Sequence, residues 1–162
     1  RGHVESRIRA GVMEQWVRDL LIDVGVGDRL QREGLVHHGV EARFQGHGHR
    51  IDFADLVGKG VTVYGQHEVV KDLIAARLAA GGALAFDTPV SRIEDIDGDE
   101  PVVVYEEEGV EKRLASDFVA GCDGFHGIAR ASLDPARVAV FERVYPFAWL
   151  GILAEAPPAS QE

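Results

Sequence analysis

Apolar residues recur at intervals of three and four from Val12 to Leu30, namely Val12, Trp16, Val17, Leu20, Leu21 and Val24, and this period predicts a helix. Gly25 reads as its C-terminal stop and Gly27-Asp28 as a turn. Between Val36 and Phe44 the pattern changes to alternation (Val36, His38, Val40, Ala42, Phe44), which predicts a half-buried strand. Gln45-Gly46-His47-Gly48 is turn chemistry, and His49 to Phe53 reads as the return strand of a hairpin. Val61 to Tyr64 is a short β-branched strand. Glu68 to Ala80 is the clearest helix, with Val70, Leu73, Ile74, Arg77 and Leu78 on one face and Gly81-Gly82 ending it. Strand-like runs follow at 84–86, 90–96, 102–105, 111–114 and 118–120, with Glu106 to Gly109 as a hairpin tip. A last apolar strand is expected from Phe147 to Ala154, ahead of Pro157-Pro158. Helices and hairpins mixed in this order predict an α/β to α+β architecture.

Composition narrows the function. The 162 residues are 46% hydrophobic and 27% charged, one domain's worth of chain or a piece of a larger one. Seventeen basic against 27 acidic residues leave a net charge of −10, which argues against nucleic acid or an anionic membrane as partner. No apolar run approaches the ~20 residues that span a bilayer, and no signal segment opens the chain, so a soluble cytoplasmic protein is expected. The single Cys122 excludes an intramolecular disulfide and a Cys-rich metal site; it reads as a small core hydrophobe. Eight acids between Glu94 and Glu108 read as a solvated hairpin face, since Asp95 to Glu100 only resembles a calcium loop. His37-His38 and His47-Gly48-His49 are weighed as metal ligands. Neighbouring strand residues point to opposite faces, so a solvated hairpin is the favoured reading. The chain opens Arg1-Gly2-His3 without Met and ends in a Pro-rich loop, so a fragment of a longer protein is expected.

Three stretches carry candidate chemistry. In Ser6 to Gln15, Arg7 and Arg9 run towards a predicted helix start. Two guanidiniums beside free backbone N–H groups would bind phosphate, with Gly11 allowing close approach; the alternative is that both Arg meet surface carboxylates. In Tyr64-Gly65-Gln66-His67-Glu68 a strand passes through Gly into a helix, and Gln66 either presents its amide to a cofactor or caps that helix. In Ala120 to Arg130, Asp123 is placed to cap a helix, and His126 and Arg130 lie four apart, on one face if the helix continues. Together these would bind a phosphate or a nicotinamide cofactor.

With these stretches in view the sequence resembles the hydroxybenzoate branch of the group A flavoprotein monooxygenases. The resemblance rests on residues 7–15, 34–41, 61–69, 121–130 and 140–151, in that order. It implies part of a Rossmann-like FAD-binding domain joined to strands of a substrate-domain sheet. Residues 1–36 and 61–138 would belong to the FAD-binding domain, 37–60 to a substrate-domain hairpin and 139–162 to the start of the substrate domain.

The resemblance also implies roles. Arg7, Ile8, Arg9, Ala10, Gly11 and Val12 match a segment that wraps FAD, with Arg9 on the pyrophosphate and Val12 near flavin and substrate. Gln66 matches an FAD-contacting amide, and Asp123 an Asp-Gly motif that touches FAD and the NADPH path. Phe125, His126 and Arg130 match the NADPH-binding stretch, and Trp149 a Trp over the substrate pocket. The implied reaction is hydroxylation of 4-hydroxybenzoate by O₂ with FAD and NADPH, in an enzyme expected to be a homodimer when full-length. None of these residues is a covalent catalyst. Gly127 stands where the wider pattern has Ser, a change shared by the hydroxybenzoate branch, while Ala148 stands where Gly is common. The Gly-x-Gly-x-x-Gly unit is absent: Gly25-Val26-Gly27 follows a helix and has Leu30 in the third glycine position. The competing readings are a related hydroxylase of another phenol, and an inactive fragment that binds no cofactor.

Overall fold

A computed structural model describes residues 1–7, 9–148, 150 and 155. The chain separates between Leu84 and Ala85 into two compact units.

In the first unit a three-stranded antiparallel sheet has β5 (Val61–Val63) at its centre, flanked by β1 (Val12–Glu14) and β2 (Leu35–His37). Around it lie α1 (Gly2–Ser6), α2 (Gln15–Asp23), α3 (Asp28–Glu33) and α5 (Gln66–Ala79). The predicted helix from Val12 is therefore corrected. Val12 to Glu14 pair with Val63 to Val61, and the helix starts only at Gln15. Val12 continues the apolar spacing without sharing the helix's packing: the strand turns Met13 into the core and leaves Val12 exposed. Gly25 ends α2 as expected, with its φ at +78° in the left-handed region just past the Val24 cap. Beyond it Asp28 to Glu33 form a second short helix that buries Leu30 to 1% exposure. Leu30, Met13 and Tyr64 form the core, with Val17, Leu21 and Val69 packed around them.

The predicted strand 36–44 is broken at His38. Its first part, β2, joins the central sheet, and its second, β3 (Gly39–Phe44), pairs with β4 (His47–Asp52) as a separate hairpin. The turn is the two residues Gln45 and Gly46, both at positive φ, so the return strand begins at His47, earlier than expected, and Phe53 opens α4 (Phe53–Val57). Asp52 caps α4 by accepting the Asp55 N–H at 3.0 Å. The register puts His47 and His49 on the same face, contrary to the opposite-face expectation, and the His49 ring stacks on Phe44 at 4.6 Å. The hairpin is largely exposed rather than half-buried.

The second unit is built on an antiparallel sheet in the order β6 (Val90–Glu94), β7 (Val102–Glu107) and β8 (Val110–Ala115), with Val104 fully buried. Its hairpin turns through Glu108-Gly109, both at positive φ, where the acidic tip was expected. The acids are not left to solvent alone: Arg92 bridges Glu94 (2.7 Å) and Glu111 (2.9 Å), Arg113 pairs with Glu94 and Lys112 with Glu107. No strand forms at 84–86 or 118–120, and none at Phe147 or Ala148; the rest of the expected final strand, apart from Leu150, lies outside the described residues. Cys122 is exposed, which corrects its reading as a core residue. All strand pairings among the described residues are antiparallel, the α+β end of the expected range. Among the described residues no helix is long and apolar enough to cross a membrane.

Candidate functional site

Arg7 caps the C-terminal end of α1, and Arg9, Ala10 and Gly11 are irregular ahead of β1. The helix start beside Arg7 and Arg9 is thus not the one that follows them in sequence. It is that of α5, more than fifty residues on. Gly11 makes this meeting possible. Its carbonyl accepts the Tyr64 N–H at 2.8 Å, and a Cβ on it would lie 1.9 Å from the Tyr64 carbonyl oxygen and 2.7 Å from the Gln66 nitrogen. The close approach that Gly11 allows in this structure is to the chain itself.

The result is a hollow of about 210 Å³ lined by His3, Val4, Arg7, Arg9, Gln66, His67 and Val70. Gly65 occupies the cap position of α5 and Gln66 its first turn, so Gln66 does not cap the helix and its amide is left to the hollow. Among the described residues Arg7 and Arg9 have no hydrogen bond or ion pair, in a chain with ten more acids than bases. The alternative of surface carboxylate partners is not realised among those residues. His67 was not foreseen as a site residue. Its Nε2 lies 3.0 Å from Glu68 Oε1, and its buried Nδ1 has no partner.

A charged network behind the hollow explains why its cations stay free. Arg29 of α3 reaches Glu68 and donates through Nε to Asp72 at 2.9 Å. The Tyr64 hydroxyl donates to the other Asp72 oxygen at 2.7 Å, and Lys71 donates to Glu68 at 2.8 Å. Lys71 and Arg29 hold the Glu68 carboxyl down at about 2. Burial, with Asp72 beside it, pushes the Tyr64 phenol up. These carboxylates are satisfied by Arg29, Lys71 and Tyr64, and the same bonds tie the first turns of α5 to α3 and β5. Sequence separations of 39 and 43 residues hid this network from local pattern.

Of the other expected residues in this unit, Ala10 is exposed, and Val12 pairs with Val63 while its side chain stays 66% exposed. Ile8 and Trp149 lie outside the described residues.

In the second unit Asp123, Phe125, His126 and Arg130 form a compact loop. The Asp123 carboxylate accepts the Ala129 N–H at 2.9 Å, and Gly124 takes a left-handed φ of +75°. A Cβ on Gly127 would lie 2.0 Å from the Asp123 carboxyl carbon, so only glycine lets the loop close over that group. The expected α-helix does not form; a 3₁₀ turn at Arg130–Ser132 takes its place, and His126 and Arg130 do not share a helix face. Instead the Arg130 guanidinium lies 4.9 Å from the Phe125 ring centre and donates to the Phe125 carbonyl at 3.0 Å, while the Phe125 and His126 rings meet edge-on at 5.0 Å. Asp123, Gly124 and Arg130 line a hollow of about 280 Å³ against Ile93, Ile96 and Leu133.

A family model described as "FAD binding domain" matches residues 2–162. The p-hydroxybenzoate hydroxylase of Acinetobacter baylyi (strain ATCC 33305 / BD413 / ADP1) is 45% identical over 161 residues, which cover 99% of this chain. The chain spans 40% of the length of that relative. The first hollow fits the diphosphate of such a cofactor: it offers two uncommitted guanidiniums and a free amide, and among the described residues no carboxylate lines it.

Proposed function

The chain belongs to the FAD binding domain family, and on that premise we propose that it forms part of an FAD- and NADPH-dependent monooxygenase that converts 4-hydroxybenzoate and O₂ to 3,4-dihydroxybenzoate. The single observation that carries this reading is the hollow where Arg7, Arg9 and Gln66 converge across a wide gap in sequence. The relative's printed name and the 45% identity supply the reaction and its substrate class. Bound FAD supplies hydride acceptance from NADPH and the activation of O₂.

The chain's own residues bind and position. Arg9 and Arg7 neutralise the diphosphate, and Gln66 orients the cofactor through its amide; Ile8, Ala10, Gly11 and Val12 complete the wrapping segment, with Val12 towards flavin and substrate. Asp123 holds its loop through the Ala129 N–H on the path of NADPH, and Phe125, His126 and Arg130 bind that cofactor. Phe125 fixes the plane of the Arg130 guanidinium, leaving its remaining N–H groups for phosphate. Trp149 covers the substrate. Residues 1–36 and 61–138 belong to a Rossmann-like FAD-binding domain, and 37–60 and 139–162 to its substrate domain. Exposed apolar side chains such as Trp16 (62%) and Leu56 (71%) support a chain whose faces are covered in a longer protein.

Arg9→Ala in the complete protein is expected to weaken FAD binding by roughly 1.5–3 kcal/mol, the size of a charge-assisted contact. Flavin fluorescence titration measures it, and unchanged affinity removes the assignment. Product analysis with a panel of phenols tests the substrate; turnover of a different phenol alone would replace 4-hydroxybenzoate.

A further inference from the structure

We infer that Tyr64, with Asp72 as its acceptor, is a positioning residue for the cofactor hollow: the bond between them sets where Gln66 stands relative to Arg9, and so the affinity for the diphosphate. This rests on the FAD reading above and adds to that site a residue that does not line it.

Tyr64 is bonded to both walls of the hollow. On one side its N–H donates to the Gly11 carbonyl at 2.8 Å. Its own carbonyl lies against Gly11, where a Cβ would come to 1.9 Å from the oxygen. Gly11 follows Arg9 by two residues, so these backbone contacts fix the segment that carries the guanidinium. On the other side the Tyr64 hydroxyl donates to Asp72 Oδ2 at 2.7 Å. Asp72 stands on α5, the helix that Gly65 caps and Gln66 opens. The Tyr64 side chain is buried, and burial together with the Asp72 bond pushes its phenol up, so the hydroxyl remains a donor through the neutral range.

Asp72 is fixed in turn. Arg29 donates through Nε to Asp72 Oδ1 at 2.9 Å and through Nη2 to the Glu68 carbonyl at 3.2 Å, and its guanidinium carbon lies 5.5 Å from the Tyr64 ring centre. Both oxygens of the carboxylate therefore have a donor. Apolar packing of Val69 on the core would hold α5 near β5 while letting it roll or slide. Directional bonds to each oxygen of Asp72 select one rotation and one height. A binding constellation works only when its groups are held to within about 0.5 Å, and locked supporting side chains supply that precision.

In the complete protein Tyr64→Phe removes the hydroxyl and leaves the ring and the backbone contacts to Gly11. Flavin fluorescence titration, at a temperature where circular dichroism shows each variant folded, is expected to give FAD affinity weakened about tenfold. Adding Tyr64→Phe to Gln66→Ala should weaken it less than about twofold further, because the amide that the bond positions is gone. Asp72→Asn can still bond to both neighbours, its amide oxygen accepting from Arg29 and its nitrogen donating to the Tyr64 oxygen. It should therefore recover most of the affinity that Asp72→Ala loses, even as its thermal midpoint falls with the lost charge. A purely structural bond would lower the thermal midpoint of Tyr64→Phe and leave the FAD affinity of the folded protein unchanged. That result, full additivity with Gln66→Ala, or an Asp72→Asn as weak as Asp72→Ala overturns the inference and leaves FAD binding intact. Inorganic pyrophosphate is the second probe. Binding of pyrophosphate that depends on Tyr64, with no binding of FAD, supports the inference for a diphosphate and removes the flavoprotein reading. Failure of the wild type to bind either probe overturns both.

Discussion

The two units hold their candidate site residues by opposite means. In the first, the anchors that bring its segments together are long-range: Gly11 packs on Tyr64 and Gln66, and Arg29 grips Glu68 and Asp72. In the second, Asp123 binds Ala129 and Arg130 binds Phe125, contacts of six and five residues' separation. The first site is fixed by the tertiary fold and keeps its guanidiniums free. The second is fixed by its own loop and spends part of its guanidinium doing so. A matched pair of glycine substitutions breaks the comparison open. Gly11→Ala drives a methyl into backbone atoms at 1.9 and 2.6 Å that no rotamer change relieves, so a loss of about 3 kcal/mol or more is expected. Gly124→Ala meets no atom within 4 Å and pays only for its left-handed φ, about 1 kcal/mol. Urea denaturation of both variants measures the difference, and equal losses would show that the first site is no more dependent on the fold than the second.

The Arg29 network gives the next largest effect. Arg29→Met takes from Asp72 its cation and from Glu68 one of two, with an expected cost of about 2 kcal/mol at neutral pH because the groups are only partly buried. The acid limb sharpens it. Glu68 is held at about 2 in the folded protein against an ordinary 4.5, so as pH falls the unfolded chain takes the proton first. The stabilisation is complete above about 4.5 and is lost on the way down to about 2. Urea midpoints at intervals from pH 6 to 2.5 should fall more steeply for the wild type than for Glu68→Gln. Parallel profiles would show that Glu68 does not anchor α5.

The contrast between the units also explains what the sequence could reveal. Features set within a few residues were legible: the helix at Glu68, the hairpin at Gln45-Gly46 and the turn at Glu108-Gly109 follow from period and positive-φ chemistry. The types of residue in the first site were legible too, because Arg7, Arg9 and Gln66 stand in stretches with a family resemblance. Their meeting was not, since the helix start that faces the Arg pair belongs to α5 and not to the segment after Gly11. Val12 to Glu14 show the same limit: helical spacing suggested one element, and pairing with β5 imposed another. His67 had only a weak signal, a polar ring one residue beyond Gln66 at a Gly-led helix start. Arg29 had none, because an Arg with partners 39 and 43 residues away looks like any surface cation.

The smallest effect tests the sheet that carries the first site. Thr62 sits at the centre of β5 at 1% exposure, and its hydroxyl has no hydrogen-bond partner. Such a group loses its hydration on folding and gains nothing in return, whereas its methyl packs as Val would. Thr62→Val is therefore expected to stabilise the first unit by about 1 kcal/mol, a rise in thermal midpoint of a few degrees, without changing FAD affinity. Because β5 leads directly through Tyr64 and Gly65 into Gln66, a stabilised strand with weakened FAD binding would show that the hydroxyl sets the position of the hollow. Destabilisation would mean that the hydroxyl has a partner such as an internal water, and that the sheet is polar at its centre by design of its packing.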